Sequence, residues 1–243
     1  MKLELYDKYR EVEASHWWFE VRRKIIRDLF LKYNISNKSK ILDVGCNYGY
    51  FVGELQKQGF EYCFGTDISK QAIEYGIQKG IKNLSVSLAE KLSHPDNTFD
   101  LTMALDVIEH IEDDKMAIRE ISRITKPGGY FFVMVPAYMY LWSLQDDVAK
   151  HFRRYNKKTL ASSMENSGFE IVRMTYFNSI LFFPIMIIRK LEHFTKTNRS
   201  SDFDLNNALT NSILKIVFGL EKPLLRFMNF PFGVSILMIA RKK

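Results

Sequence analysis

An acid and two glycines stand together where a ligand could bind. Residues 41–44 form an apolar run that contains Asp43, and Gly45 and Gly49 follow it directly. Glycine permits tight turns and the close approach of a ligand, and the carboxyl ends of parallel strands face the binding crevice. A carboxylate at a strand end can accept hydrogen bonds from a cationic amino group. This turn is therefore a candidate ligand site.

A second carboxylate favours a nucleotide-like ligand. Asp67 lies 24 residues after Asp43, at the end of the next predicted strand, where an acid typically binds ribose hydroxyls. Capping of the following helix, to which Ser69 could also contribute, is the structural alternative. Two further predicted strand ends should converge on the same crevice, and they contribute Leu88, Ala89, Glu90 and Leu105.

The elements that must position these residues alternate regularly. Seven apolar runs read as strands, at 40–44, 62–66, 83–88, 99–105, 130–135, 169–177 and 234–240. Helical patterns separate most of them, and this alternation predicts an α/β fold with a largely parallel sheet. We divide the chain into an N-terminal helical cap (1–38), a core (39–177), a helical insertion (178–233) and the last strand (234–243).

At this point the sequence resembles the class I S-adenosylmethionine-dependent methyltransferases, specifically methyltransferase domain type 11. The resemblance rests on residues 43–49, Asp67, 99–110 and 126–130. It implies a Rossmann-like doubly wound seven-stranded sheet with an antiparallel last strand, and S-adenosylmethionine as cofactor. The implied cofactor-binding residues are Asp43, Gly45, Cys46, Asn47, Gly49, Asp67, Ile68, Leu88, Ala89, Glu90 and Leu105.

Two positions depart from the family pattern. Asn47 stands where a second glycine is usual, but asparagine tolerates positive φ, so we expect the turn to survive. Leu88 stands where an acid that accepts from the adenine amino group is common. We therefore expect Leu88 and Ala89 to act only as pocket wall.

The flanking segments resemble methyltransferases of bacterial cell-surface polysaccharide and glycolipid biosynthesis. These segments are 16–19, with arginines following, and 151–155. The resemblance and the predicted overhang of a loop after the fifth strand suggest an acceptor site, with His151 as general base and His110 as second choice. The candidate acceptor-binding residues are Trp17, Arg22, Arg153, Arg154 and Tyr155. The alternative is a solvated surface loop.

Metal binding is a further alternative. Asp106, Glu109 and His110 resemble the metal-ligand pattern of some quinone-precursor O-methyltransferases. Across the superfamily the equivalent residues more often line the pocket without metal, so we predict none. The two cysteines have no metal-ligand or redox spacing.

The distribution of charge indicates the partners. The 35 Lys and Arg exceed the 28 Asp and Glu by 7, and residues 173–243 hold 11 basic and 4 acidic residues, which is this whole excess. Because these charges alternate with large aliphatics, we expect no nucleic acid. We expect helices over 178–232 to cap a small-molecule or lipid-linked acceptor, or to contact an anionic membrane. With no signal-peptide pattern or spanning segment, we expect a cytoplasmic protein, with peripheral contact at the inner membrane face left open.

The favoured function is methyl transfer to a hydroxyl of a sugar or lipid-linked acceptor. A non-catalytic cofactor-binding or membrane-docking protein remains an alternative, given Asn47 and Leu88. A nicotinamide-dependent oxidoreductase is less favoured, because 45–49 lacks the Gly-x-Gly-x-x-Gly spacing.

Overall fold

A seven-stranded sheet forms the centre of the protein. The computed structural model describes residue 10, residues 12–195 and residues 207–243. The strands are β1 (Ile41–Val44), β2 (Cys63–Asp67), β3 (Leu84–Val86), β4 (Phe99–Leu105), β5 (Thr125–Pro136), β6 (Phe169–Phe177) and β7 (Ser235–Lys242). Their order is β3-β2-β1-β4-β5-β7-β6, and β7 runs antiparallel to both neighbours. The predicted Rossmann-like α/β fold, with its reversed last strand, is confirmed.

Helices cover both faces of this sheet, which is why its strands read as apolar runs rather than as alternating patterns. The helices are α1 (Trp17–Lys32), α2 (Tyr50–Lys57), α3 (Lys70–Gln78), α4 (Asp114–Ile124), α5 (Leu144–Ala149), α6 (Lys157–Ser163), α7 (Phe182–Thr195), α8 (Ala208–Gly219) and α9 (Glu221–Phe227). All four residues of β1 are buried. Their burial holds the end of β1, where Asp43 lies, at a fixed place in the core.

The first helix packs on the core because its apolar residues recur at helical spacing. Ile25, Ile26 and Leu29 are buried, and the side chain of His16 caps the helix by accepting from the backbone N–H of Trp18 at 3.2 Å. This cap sets where the helix begins and directs its first turn toward the carboxyl edge of the sheet.

The predicted insertion between the last two strands consists of α7, α8 and α9. Helix α8 packs on α1, where the rings of Trp18 and Phe218 stack with centroids 5.4 Å apart. Glu221 at the start of α9 is buried and accepts from the backbone N–H groups of Asn178 and Ile180 at 2.9 and 2.8 Å. The ring stack attaches α8 to the start of α1, and the two hydrogen bonds attach α9 to the segment that follows β6.

Parts of two predicted segments lie outside the described residues, namely 1–9 and 11 of the N-terminal cap and 196–206 of the insertion. Among the helices that the structure describes, none has both the length and the apolar character needed to cross a bilayer.

Candidate active site

A cleft of about 430 Å³ opens at the carboxyl edge of β1, β2 and β4. Its volume lies within the range of small-molecule sites. Its walls include ten of the eleven predicted cofactor residues, namely Asp43, Gly45, Cys46, Asn47, Asp67, Ile68, Leu88, Ala89, Glu90 and Leu105. The strand ends therefore converge on one cavity, as the sequence predicted.

The turn after β1 adopts the left-handed geometry that its sequence suggested. Gly45 has φ of +70°, and a Cβ added there would lie 2.4 Å from Cγ2 of Val107. Asn47 has φ of +53°, so the expectation that asparagine keeps the turn is confirmed. Gly49, with φ of +73°, is the N-cap of α2 and does not line the cavity. Its role is to shape the turn.

Asp67 ties this turn to the end of β2. One carboxylate oxygen accepts from the backbone N–H of Asn47 at 2.9 Å, and the other accepts from Ser69 N–H at 2.8 Å. Ser69 in turn caps α3 by accepting from Ala72 N–H at 3.2 Å. Each carboxylate oxygen has a second lone pair, so Asp67 can organise the loop and still accept from a ligand hydroxyl in the cavity.

Two buried carboxyl groups face the same end of the cleft. Burial raises the pKa of Asp43 from 3.8 to about 7, against the opposing influence of Arg22. Burial likewise raises the pKa of Glu13 from 4.5 to about 7, although Arg23 opposes the shift. A bound cation would compensate both carboxylates. Sequence reasoning missed Glu13, because nothing in the local pattern indicates that the segment before α1 folds over the β1 turn.

The predicted histidines also line the cleft. His151 lines the cavity, and its Nδ1 lies 2.8 Å from Oδ1 of Asp146. Arg154 also donates to Asp146, at 2.8 Å from Nε. Burial alone would raise the pKa of Asp146, but these two hydrogen bonds hold it well below its usual range. The ionised Asp146 can only accept, so Nδ1 of His151 is the donor in this hydrogen bond.

His110 is a poorer base. Its Nδ1 lies 2.9 Å from the carbonyl oxygen of Ala149, which can only accept, so Nε2 carries the lone pair. Burial and the neighbouring His151 lower the pKa of His110 to about 3. The two imidazole rings meet edge to face, with centroids 4.5 Å apart.

The wall next to His110 carries a buried acid, Glu109. Burial, together with the charge of Asp106, raises the pKa of Glu109 well above its usual range. Asp106 itself accepts a hydrogen bond from Arg22. Arg22 and Trp17, two of the predicted acceptor residues, line the cleft, as does Arg154.

Two predicted acceptor residues do not reach the cleft. The hydroxyl of Tyr155 is buried and donates to Asp114 at 2.7 Å, and Arg153 lies 3.3 Å from the same carboxylate. Neither residue is among those lining the cavity. The structure therefore brings Arg153 and Tyr155 to Asp114 of α4 and not to the cleft, where the sequence analysis had placed them.

The insertion contributes cavity residues that the sequence did not indicate. Ile185 and Arg189 of α7 line the cleft, together with Asn178. The helical spacing of the insertion was visible in the sequence, but which of its faces meets the cleft was not.

Comparison with known proteins identifies the family. A sequence model described as a methyltransferase domain matches residues 14–174, well over half of the chain. The chain is 29% identical over 135 residues to the ubiquinone biosynthesis O-methyltransferase of Aliivibrio fischeri, covering 49% of this chain and 57% of that protein. It is 30% identical over 149 residues to norajmaline N-methyltransferase of Rauvolfia serpentina, covering 57% and 51%. The chain thus spans little more than half the length of these curated relatives.

Solved structures share the fold at low identity. A S-adenosylmethionine-dependent methyltransferase from Thermotoga maritima superimposes with a TM-score of 0.62 at 16% identity, covering 99% of this chain and 96% of that one. The [4+2]-cyclase SpnF gives a TM-score of 0.61 at 19% identity, covering 93% and 82%. Similarity at these identities shows the fold alone. Together with the family match, it establishes that the chain belongs to the methyltransferase domain family, whose cofactor is S-adenosylmethionine.

Proposed function

We propose that this protein transfers a methyl group from S-adenosylmethionine to a hydroxyl group of a small, sugar-containing or lipid-linked acceptor. The observation that carries the proposal is a single cleft lined both by the buried carboxyl groups of Asp43 and Glu13 and by His151, which pairs with Asp146. The first group of residues suits a cationic nucleoside, and the second suits removal of a proton.

The residues at the β1 end fit S-adenosylmethionine chemically. Its amino group and sulfonium are positively charged, and the buried carboxyls of Asp43 and Glu13 offer compensating charge. Asp67 would accept from the ribose hydroxyls. Ile68 and Leu88, which are 64% and 47% exposed, form an apolar rim on which adenine would pack.

On the acceptor side, the protein has to orient a hydroxyl and remove its proton. When bound, the cofactor supplies a methyl group on a positively charged sulfur, which leaves as a neutral thioether once an acceptor oxygen attacks. Nε2 of His151 would take the hydroxyl proton, and Asp146 would stabilise the resulting imidazolium. Asp146 also keeps the ring in place, since Arg154 holds the same carboxylate from the other side.

Helix α7 supports a lipid-linked acceptor. One face of this helix reaches the cleft through Ile185. Phe183, Ile187 and Leu191, spaced four residues apart, form a stripe that is 53%, 54% and 56% exposed. An acceptor with an apolar chain could therefore pass from this stripe to the reacting hydroxyl.

Helix α8 and the residue that follows it carry a second exposed apolar stripe. Leu209, Ile213, Ile216 and Leu220 recur at helical spacing and are at least half exposed. Exposed apolar stripes on helices are typical of interfacial membrane contact. Lys215 and Lys222 pair with acids of α1, so this surface would bind lipid more through apolar burial than through charge.

Calorimetry with S-adenosylmethionine tests the cofactor assignment. Wild-type protein should bind it, and Asp67→Ala should bind about a hundredfold more weakly, because two charge-assisted hydrogen bonds of about 1.5 kcal/mol each are lost. Glu61→Ala, which removes an exposed acid, serves as the matched control. Binding of NAD instead would favour an oxidoreductase, and binding of neither would favour the non-catalytic alternative.

Vesicle co-sedimentation tests the membrane surface. Wild-type protein should sediment with phosphatidylglycerol vesicles, and Ile213→Glu should remain in the supernatant. Ile77→Glu is the control, because Ile77 is 52% exposed, close to the 50% of Ile213, but lies on α3. Equal loss in both variants would contradict a docking surface on α8 and leave a freely diffusing acceptor.

A further inference from the structure

A buried acid beside His110, among the residues around the cleft, has no hydrogen-bond partner. Glu109 is fully buried, and neither of its side-chain oxygens has a hydrogen-bond partner. Glu109 belongs to the residues around the cleft, directly beside His110. Removing a carboxylate from water is costly unless a cation or several donors replace the lost hydration. Glu109 therefore lacks the cation or the donors that an ionised acid at a buried position requires.

Two histidines next to Glu109 are oriented as metal ligands usually are. Ligating histidines almost always donate their second ring N–H to a carboxylate or a backbone carbonyl, which fixes the ring and directs the other nitrogen at the metal. His110 donates through Nδ1 to the carbonyl of Ala149, and His151 donates through Nδ1 to Asp146. Both therefore keep Nε2 available.

The three side chains also meet in space. One ligand atom from each of Glu109, His110 and His151 lies within 4.8 Å of the others. Asp106, which the sequence pattern placed with Glu109 and His110, is bound by Arg22. In the structure, His151 from the loop after α5 therefore takes the place that the sequence pattern gave to Asp106.

We propose that Glu109, His110 and His151 bind one divalent transition-metal ion at the wall of the cleft. Two imidazoles and one carboxylate suit Zn²⁺, Co²⁺ or Mn²⁺ better than Mg²⁺, which prefers oxygen ligands. Three protein ligands leave a coordination position open toward the cavity, as in catalytic zinc sites.

The ion would act as a Lewis acid that lowers the pKa of an acceptor hydroxyl. It would then replace His151 as the group that activates this hydroxyl, because Nε2 of His151 would be a ligand. This role rests on the proposed methyl transfer, whereas binding of the ion does not.

Titration calorimetry of chelator-treated protein with Zn²⁺, and separately with Mn²⁺, tests the site. We expect one ion per chain, with affinity reduced at least about tenfold in Glu109→Gln and in His151→Gln. Glu112→Gln is the matched control, since Glu112 is an exposed acid three residues from Glu109. Co²⁺ provides a second readout, because its visible absorption bands should intensify in wild type and not in the two variants.

Two controls keep the outcomes distinct. Thermal unfolding of the metal-free proteins shows whether each variant folds; if Glu109→Gln does not, His110→Gln takes its place. No binding by wild type, or equal binding by wild type and the variants, overturns the site. S-adenosylmethionine binding measured on the same samples separates this result from the proposed function. Cofactor binding without metal binding would refute only the metal site. Metal binding without cofactor binding would refute only the proposed methyl transfer.

Discussion

Cofactor affinity should depend on pH through the carboxyl groups at the β1 end of the cleft. Burial raises the pKa of Asp43 from 3.8 to about 7. A raised pKa means that the ionised form is penalised in the folded protein, on the order of 4 kcal/mol at pH 8. The penalty shrinks as the pH falls through 7 toward 4, so this group destabilises the ligand-free protein mainly at neutral and alkaline pH.

Binding of a cationic ligand should reverse this penalty, because the ligand's charge replaces the lost hydration. If Asp43 must be ionised in the complex, its ionised fraction in the free protein limits the affinity. That fraction rises about tenfold between pH 6 and pH 8 for a pKa of about 7. Glu13, whose pKa is also raised to about 7, should contribute a similar factor.

Calorimetry at pH 6 and pH 8, on wild type, Asp43→Asn and Glu13→Gln, measures the effect. The α-amino group of the ligand titrates near pH 8 and affects all three proteins alike. The two variants therefore isolate the contributions of the carboxyls. Each variant should bind S-adenosylmethionine more weakly at pH 8 and lose its share of the pH dependence of the affinity. Without ligand at pH 8, Asp43→Asn should unfold at a higher temperature than wild type. The reasoning is refuted if wild-type affinity changes with pH no more than the affinity of Asp43→Asn.

Three further predictions concern the elements around the cleft. Gly45→Ala should lower the free energy of unfolding by about 1–3 kcal/mol and abolish cofactor binding, because its Cβ would lie 2.4 Å from Cγ2 of Val107 at a φ of +70°; unchanged urea denaturation would contradict this. Tyr155→Phe should cost about 1–3 kcal/mol, because it leaves a buried carboxylate short of a donor, while calorimetric cofactor affinity stays at the wild-type level; a selective loss of affinity would restore the acceptor role. Phe218→Ala should cost about 3–5 kcal/mol in chemical denaturation, because the ring is fully buried, whereas Phe227→Ala, at an 88% exposed position, should cost little; equal costs would show that α8 is not packed as described.

The order of strands and helices was predictable from sequence because its causes are local. The run at 99–105 coincides with β4, which is buried along nearly its whole length, and the run at 169–177 coincides with the edge strand β6. The turn after β1 was equally predictable, because only a few residue types accept positive φ and two of them, glycine and asparagine, stand at 45 and 47.

Side-chain direction in irregular segments was not predictable. Residues 151–155 read as one cationic cluster above the site, but His151 and Arg154 face the cleft while Arg153 and Tyr155 face Asp114. No periodicity governs a loop of this length, so its side chains are placed by the core against which it packs.

The sequence by itself determined the sheet, the turn after β1 and the strand-end acid Asp67, because short-range backbone preferences and apolar spacing specify them. Tertiary structure alone decided which charges share the cleft. Glu13 comes close to Asp43, and Glu109 comes close to His151, only after segments distant along the chain have packed. The electrostatics of a buried site depend on distance and burial in space, and neither can be read from spacing along the chain.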